Sequence, residues 1–174
     1  HLQRAGGVRG HHAMRACAGA LVLLVGLVAP AGAATRLDDS LSPRQRVEIV
    51  PRWVSERVQG PVSDDQFNAL VAEVPQFEVR LNTAKYVGQQ AEIYLRLPVA
   101  IVGLQSPAGL RLEWRTRGFF APGSVRPGDR LLLFRGPITQ PVMGDTFDFV
   151  LHFDGRYIQR GLQFDPIYEI EILR

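Results

Sequence analysis

Cysteine is almost absent from this chain, which holds a single one, Cys17, among 174 residues. A disulfide within the chain is therefore excluded, and the folded state must be stabilised by its hydrophobic core. Histidine is nearly as scarce, because His1, His11 and His12 are three of the four histidines. Only His152 remains for acid–base or metal chemistry in the rest of the chain.

An excess of positive charge is also missing once the first 34 residues are set aside. The full chain has 20 basic and 17 acidic residues, and its formal net charge is +3. Three of the basic residues (Arg4, Arg9 and Arg15) and none of the acidic residues precede Thr35. The chain from Thr35 onward is therefore neutral, and its overall charge gives no reason to expect nucleic-acid binding.

The beginning of the chain has the pattern of a secretory signal peptide. Residues 14–34 start with a methionine and an arginine, continue with the apolar run Ala18–Val28, and end in the small residues 31–34. A positive charge, a short apolar run and small residues before a cut define such a signal. An uncleaved anchor is the alternative, but the run is shorter than the ~20 residues that span a membrane, and Pro30 ends it.

We expect cleavage after Ala33 or Ala34 and a mature protein that is periplasmic or secreted, without a stable membrane span. Residues 1–13 precede the expected start at Met14 and are interpreted as a leader, so His11-His12 is not taken as a metal site. The remaining residues suffice for one domain with a sizeable core. All basic residues except Lys85 are arginine, which indicates a GC-rich bacterial source.

The segment 35–75 is predicted to be partly helical, after a flexible polar lead over 35–42. Ser42 and Pro43 provide a helix start, although an irregular or extended stretch fits nearly as well. A capping box at 63–66 is followed, before Pro75, by apolar residues at helical spacing: Phe67, Leu70, Val71 and Val74. We therefore expect one or two short helices before residue 76.

Residues 76–174 are predicted to form a β domain. Segments that alternate with period two, as strands with one buried face do, are 77–81, 91–97, 110–115 and 147–153. The apolar runs Val99–Leu104 and Arg130–Phe134 predict more deeply buried strands. Ile167–Leu173 is expected to be the last strand, and Asp154-Gly155 a two-residue hairpin turn.

Seven or eight strands separated by turn signals favour an immunoglobulin-like antiparallel β-sandwich. A small β-barrel is the alternative. The cysteines of true immunoglobulin domains are absent, so the prediction concerns the fold class only.

No catalytic constellation is recognisable in residues 35–174. His152 is expected on the outward side of its strand, and no Gly-x-Ser-x-Gly elbow accompanies it. One histidine without cysteine does not supply the usual zinc ligands, and the aspartates of 145–154 lie at both ends of one strand. Glu169 and Glu171 share a strand face, but this spacing is too common to indicate a glycosidase pair. We therefore expect no enzymatic activity, no metal and no cofactor.

Residues 111–120 contain the candidate binding surface. Strand periodicity directs Arg111, Glu113, Arg115 and Arg117 to one side and Leu112, Trp114 and Thr116 to the other, where Trp114 is expected in the core. The arginine row is suited to phosphate, sulfate or carboxylate groups, or else is paired with acids of a neighbouring strand. Phe119 and Phe120 either cover the sandwich end or form an exposed contact. The candidate ligand-binding residues are Arg111, Arg115, Arg117, Phe119 and Phe120.

These features predict an exported, non-enzymatic β-sandwich protein of the bacterial envelope. We expect it to act through protein–protein interaction or as a structural, fimbria-like module, with an envelope or secreted protein as its partner. The alternative is a module that binds an anionic glycan or similar polymer through the arginine-rich strand face. A hydrolase ranks last.

Overall fold

The computed structural model describes residues 32–43, 49–53, 69–159 and 161–174. The strands in this part of the chain are β1 (Thr35–Arg36), β2 (Arg52–Trp53), β3 (Ala69–Asn82), β4 (Gln90–Arg96), β5 (Leu110–Thr116), β6 (Gly123–Val125), β7 (Arg130–Pro137), β8 (Val142–Asp154) and β9 (Ile167–Ile172). Single-turn 3-10 helices lie at Ala84–Tyr86, Pro107–Gly109 and Gly155–Tyr157. Within these described ranges, no helix has the length and apolar character needed to cross a membrane.

The described strands form two antiparallel sheets. The four-stranded sheet has the order β1-β9-β4-β7, and the five-stranded sheet has the order β2-β3-β8-β5-β6. The chain changes sheet at almost every connection, and among the described strands only β2–β3 and β5–β6 are consecutive strands that pair with one another. The mainly-β prediction is confirmed, and the small closed barrel named as its alternative is wrong.

The core lies between the two sheets, and β8 is its central strand. β8 pairs with β3 on one side and with β5 on the other. Its inward side chains are buried, as the alternation predicts: Phe147, Phe149, Leu151 and Phe153. Trp114 of β5 is 1% exposed, and its indole N–H donates to the Ala121 carbonyl at 2.9 Å, so its predicted core position is confirmed.

Backbone hydrogen bonds of the segment after β1 link the two sheets. The Leu37 N–H, just after β1, donates to the Tyr168 carbonyl of β9 at 2.8 Å. One residue later the Asp38 carbonyl accepts the Asn82 N–H of β3 at 2.9 Å, so the segment after β1 bridges the sheets. Because Leu37 is 2% exposed, the prediction of a flexible lead over 35–42 is wrong.

The predicted helix that ends at Pro75 is wrong for its described part. Residues Ala69–Val74 belong to β3, where pairing with β8 buries Ala72 and Val74 between the sheets. Pro75 does not stop an element, because the register shifts after Val74 and the strand resumes at Phe77. The predicted domain boundary at 75/76 therefore falls inside a strand. Residues 44–48 and 54–68, with the capping box, lie outside the described residues, as do residues 1–31.

Two further predictions need correction. Val99–Leu104 is a loop without a regular strand, and Val99 and Val102 are 61% and 63% exposed. Asp154-Gly155 is not a hairpin turn, because the Asp154 carboxylate accepts the Arg156 N–H at 3.0 Å and starts a 3-10 turn. Arg130–Phe134 is a strand as predicted, but it lies at a sheet edge, where Leu131 and Leu132 stay more than one third exposed.

Truncation of Phe147 tests the central role of β8. Phe147 is fully buried and its ring stacks on Phe149 at 5.2 Å, so we expect Phe147→Ala to lower the free energy of unfolding by about 3–5 kcal/mol. Val150→Ala, on the outer side of the same strand, should change it by only about 0.5 kcal/mol. Urea denaturation measures both, and equal losses would contradict this view of the core.

Candidate functional site

The outer side of β5 carries the predicted arginine row. Arg111 and Glu113 are half-buried and Arg115 is exposed, whereas Leu112 and Trp114 are buried. The predicted two-sided division of this strand is therefore confirmed. We call the outer side, with Arg117 just beyond the strand, the arginine face.

Arg111 is not available as a free cation on the arginine face. Its Nη1 donates to Glu113 Oε2 at 3.1 Å, and the same carboxylate oxygen lies 3.2 Å from His152 Nε2 on β8. The Arg111 hydrogen bond, followed by the one from His152, lowers the pKa of Glu113 below its usual value. His152 therefore lies on the outer face, as predicted, beside an acid that Arg111 already holds.

Arg117 is also paired. Its Nε and Nη2 donate to the two oxygens of Asp148 at 3.3 and 3.2 Å. The same carboxylate accepts the backbone N–H of Gln76 at 2.8 Å, and this bond, followed by Arg117, lowers the pKa of Asp148. Gln76 has a positive φ of 54°, so the bulge of β3 turns its N–H toward Asp148.

Arg115 is the remaining arginine of this row. It lies opposite Asp148 in the β5–β8 register, but among the described residues it has no hydrogen-bond or ion-pair partner. The arginine face therefore combines two arginines that are paired with acids and one exposed guanidinium. Pairing with acids of the same or the neighbouring strand thus explains two of its three arginines.

The loop after β5 is held by a carboxylate for which the sequence predicted no role. Asp145 Oδ1 accepts the N–H groups of Gly118 and Thr146, both at 2.7 Å, and its Oδ2 accepts the N–H of Phe120 at 3.0 Å. A Cβ at Gly118 would lie 2.7 Å from Asp145 Oδ1, so only glycine fits against the carboxylate. The conformation of residues 118–120 is thereby fixed.

Phe119 and Phe120 differ in burial, so the two placements that the sequence left open are divided between them. Phe120 is 2% exposed and covers the sandwich end, whereas Phe119 is 55% exposed. The two rings are 4.6 Å apart, and the ring of Phe134 on β7 lies 5.8 Å from that of Phe119. Phe119 is therefore an exposed aromatic side chain supported by two other rings.

An open groove adjoins the exposed phenylalanine. Its volume is about 390 Å³, and its lining residues are Phe119, Phe134, Pro137, Thr139, Gln140 and Met143. We call it the Phe119 groove. Arg117 and Arg135 lie within two residues of Phe119 and Phe134 in sequence; their side chains are 54% and 67% exposed and are paired with Asp148 and Glu92.

The outer side of the four-stranded sheet carries a second charged constellation, which includes the glutamate pair. Glu169 lies 2.6 Å from Arg96 Nε, and Glu171 lies 2.7 Å from Arg130 Nη1, with both glutamates only 14–18% exposed. The Arg130 guanidinium also lies 4.1 Å above the Tyr94 ring. Each carboxylate is therefore held by an arginine on an open sheet surface.

Tyr94 is the most perturbed group of this constellation. Its hydroxyl donates to Glu92 Oε2 at 2.5 Å. Burial first, and then the Glu92 carboxylate, raise the pKa of Tyr94 to about 12. In the part of the chain that the structure covers, three or more His, Cys, Asp or Glu side chains nowhere converge in a way that could hold a metal ion.

Comparison with known proteins gives no match for this chain among protein-family models, curated protein sequences or solved structures.

Removal of the Asp145 carboxylate tests the loop anchor. We expect Asp145→Ala to lower the free energy of unfolding by about 1–3 kcal/mol, because three N–H groups lose their acceptor. Amide exchange of Gly118 and Phe120 should accelerate more than that of the β8 core. Unchanged exchange at these two amides would show that the loop is held by other contacts.

The pKa of Tyr94 predicts an alkaline loss of stability. Folding favours the neutral hydroxyl of Tyr94. The stabilisation that this hydroxyl contributes to the folded state is therefore complete below pH 10 and is lost as the pH rises from 10 to about 12. We expect the free energy of unfolding of Tyr94→Phe to fall less steeply over this range than that of the wild-type protein. Denaturant titrations at several pH values measure the two slopes, and identical slopes would contradict the assignment.

Proposed function

We propose that this protein is an exported, non-enzymatic component of the bacterial envelope that acts by binding another protein. The signal pattern of residues 14–34 supports export, and β1 begins at Thr35, so the expected cleavage would leave the described strands intact. The observation that carries the binding proposal is the exposed, rigidly supported ring of Phe119 beside its groove.

A pre-organised aromatic side chain is well suited to anchor a protein interface. Aromatic residues are enriched at interface centres, and a side chain that is already ordered loses little conformational entropy on binding. Asp145 fixes the loop of Phe119, and the rings of Phe120 and Phe134 limit the motion of its side chain. Burial of this ring under a partner therefore adds apolar contact at low entropic cost.

We propose that the partner binds through side-chain contacts. Addition of a partner strand to a sheet edge, as in fimbrial modules, is less favourable at the described edges. β7 is the longest described edge strand, but it carries a bulge near Leu133, and the Leu133 carbonyl already accepts the Ala121 N–H at 2.8 Å. The edge of β3 contains Pro75, which has no N–H to donate. Both features discourage pairing with another chain.

The partner we propose is an envelope or secreted protein that inserts an apolar side chain, flanked by acidic residues, into the Phe119 groove. Arg117 and Arg135 are more than half exposed next to Phe119 and Phe134 in sequence, and carboxylates of a partner complement them. Their present partners, Asp148 and Glu92, leave part of each guanidinium accessible.

We also infer that the fold is a variant of the immunoglobulin-like sandwich. Immunoglobulin strands in chain order, A to G, form the sheets ABED and CFG. If β3–β9 take these seven places, the B–E pair corresponds to β4–β7 and the C–F pair to β5–β8. Three strands lie in the other sheet, because β3 pairs with β8, β6 with β5 and β9 with β4.

The anionic-glycan alternative depends on Arg115, the arginine of the arginine face without a partner among the described residues. Because Arg111 and Arg117 already hold carboxylates, an anionic polymer would have to displace them. Loss of glycan binding in Arg115→Ala, with normal protein binding, would favour this second function.

Photo-crosslinking tests the proposed function. A photoreactive phenylalanine analogue at position 119 should form a discrete adduct with one envelope or secreted protein in the exporting cell. The same analogue at Val99, an exposed apolar residue at the other end of the sandwich, should not. Equal adducts from the two positions would contradict a specific contact.

Binding measured with that purified partner completes the test. We expect Phe119→Ser to weaken affinity by about tenfold or more, as removal of an interface anchor does. Val99→Ser should leave the affinity unchanged. The proposal fails if Phe119→Ser, folded as judged by circular dichroism, binds like the wild-type protein.

A further inference from the structure

The end of the sandwich opposite the Phe119 groove contains a separate apolar pocket of about 150 Å³. Its floor is formed by Leu97, just after β4, and by Leu110 and Leu151 of the five-stranded sheet, and all three are at most 2% exposed. The remaining described lining residues belong to two loops and are Pro98, Ala100, Ile101, Val102, Leu162, Gln163, Phe164 and Asp165. The pocket is therefore an opening into the hydrophobic core.

The two loops that form its walls are fastened to one another. The Gln163 N–H donates to the Val102 carbonyl at 3.0 Å, and the Gln159 N–H donates to the Gly103 carbonyl at 2.8 Å. Gly103 has a φ of +90°, and a Cβ there would lie 2.6 Å from Leu162 Cα, so the close approach of the loops requires glycine. Phe164 packs edge-on against Phe149 at 5.0 Å. The pocket is therefore preformed, as small-molecule sites usually are.

The apolar run Val99–Leu104 is not needed to build a strand. The sequence predicted a buried strand here, yet the run forms a loop in which Val102 stays 63% exposed while lining the pocket. Keeping apolar side chains in a surface loop around a concave opening is typical of a binding site rather than of a loop that only connects strands.

The size and charge of the pocket define the ligand. A cavity of about 150 Å³ lined by apolar side chains accommodates a molecule of the size of benzene. Among the described lining residues, Asp165 carries the only charge, and it is exposed at the mouth. We propose that the pocket binds a small amphiphile whose apolar part fills the opening and whose protonated amine meets the Asp165 carboxylate. This site is distinct from the proposed protein contact at Phe119.

Three probes of equal length test the proposal: n-hexylamine, n-hexanol and n-hexanoate. NMR titration of the full protein should give saturable shifts of pocket amides, strongest with the amine and weakest with the carboxylate. In Asp165→Asn the affinity for the amine should fall by up to about fivefold, to that for the alcohol, because an exposed ion pair is lost. The affinity for the alcohol should not change.

A steric variant keeps the test independent of charge. Ala100→Trp, at an exposed position of the wall, should block all three probes, whereas Ala108→Trp, exposed but outside the lining, should not. Dispersed NMR spectra establish that both variants fold. Equal binding of amine and carboxylate, absence of saturable shifts, or unimpaired binding by Ala100→Trp would each overturn the proposal.

Discussion

Burial of the inward face of β8 is the interaction on which both sheets depend. This strand is paired along its length with β3 and β5, and its phenylalanines lie against the opposite sheet, as the contact between Phe147 and Tyr168 at 6.4 Å illustrates. No disulfide is available to the chain, so apolar contact supplies most of the free energy that opposes chain entropy. The cross-sheet hydrogen bonds from Asn82 to Asp38 and from Ala121 to Leu133 then fix how the two sheets close on that layer.

On the outer faces of the two sheets, many charged side chains form ion pairs with one another. On the five-stranded sheet Arg111 and Arg117 hold Glu113 and Asp148, and on the four-stranded sheet Arg130 holds Glu171. Exposed pairs of this kind each add little to stability. Their larger consequence is that neighbouring charges compensate one another, so these faces attract an oppositely charged partner only weakly.

Sequence alone predicted what depends on local periodicity and missed what depends on distant neighbours. Alternation located β4, β5 and β8 and the burial of Trp114, because period two reports directly on a half-buried strand. Leu70, Val71 and Val74 fit helical spacing equally well, and pairing with β8 decided in favour of a strand. The anchoring of Gly118 and Phe120 by Asp145 joins residues more than twenty positions apart, so no local pattern signalled it.

Exposed apolar side chains on an ordered framework lie at both ends of the sandwich, and Phe119 and Val102 are the examples. Backbone groups at the edges are partly bonded, and most charged side chains of the outer faces have partners. Binding lowers the free energy most where apolar area is still in contact with water on an ordered framework. Phe119 at one end and the pocket beside Val102 at the other meet both conditions, and they differ in chemistry. The arginines nearest to the first in sequence are already paired with acids, whereas the carboxylate of Asp165 at the second is exposed.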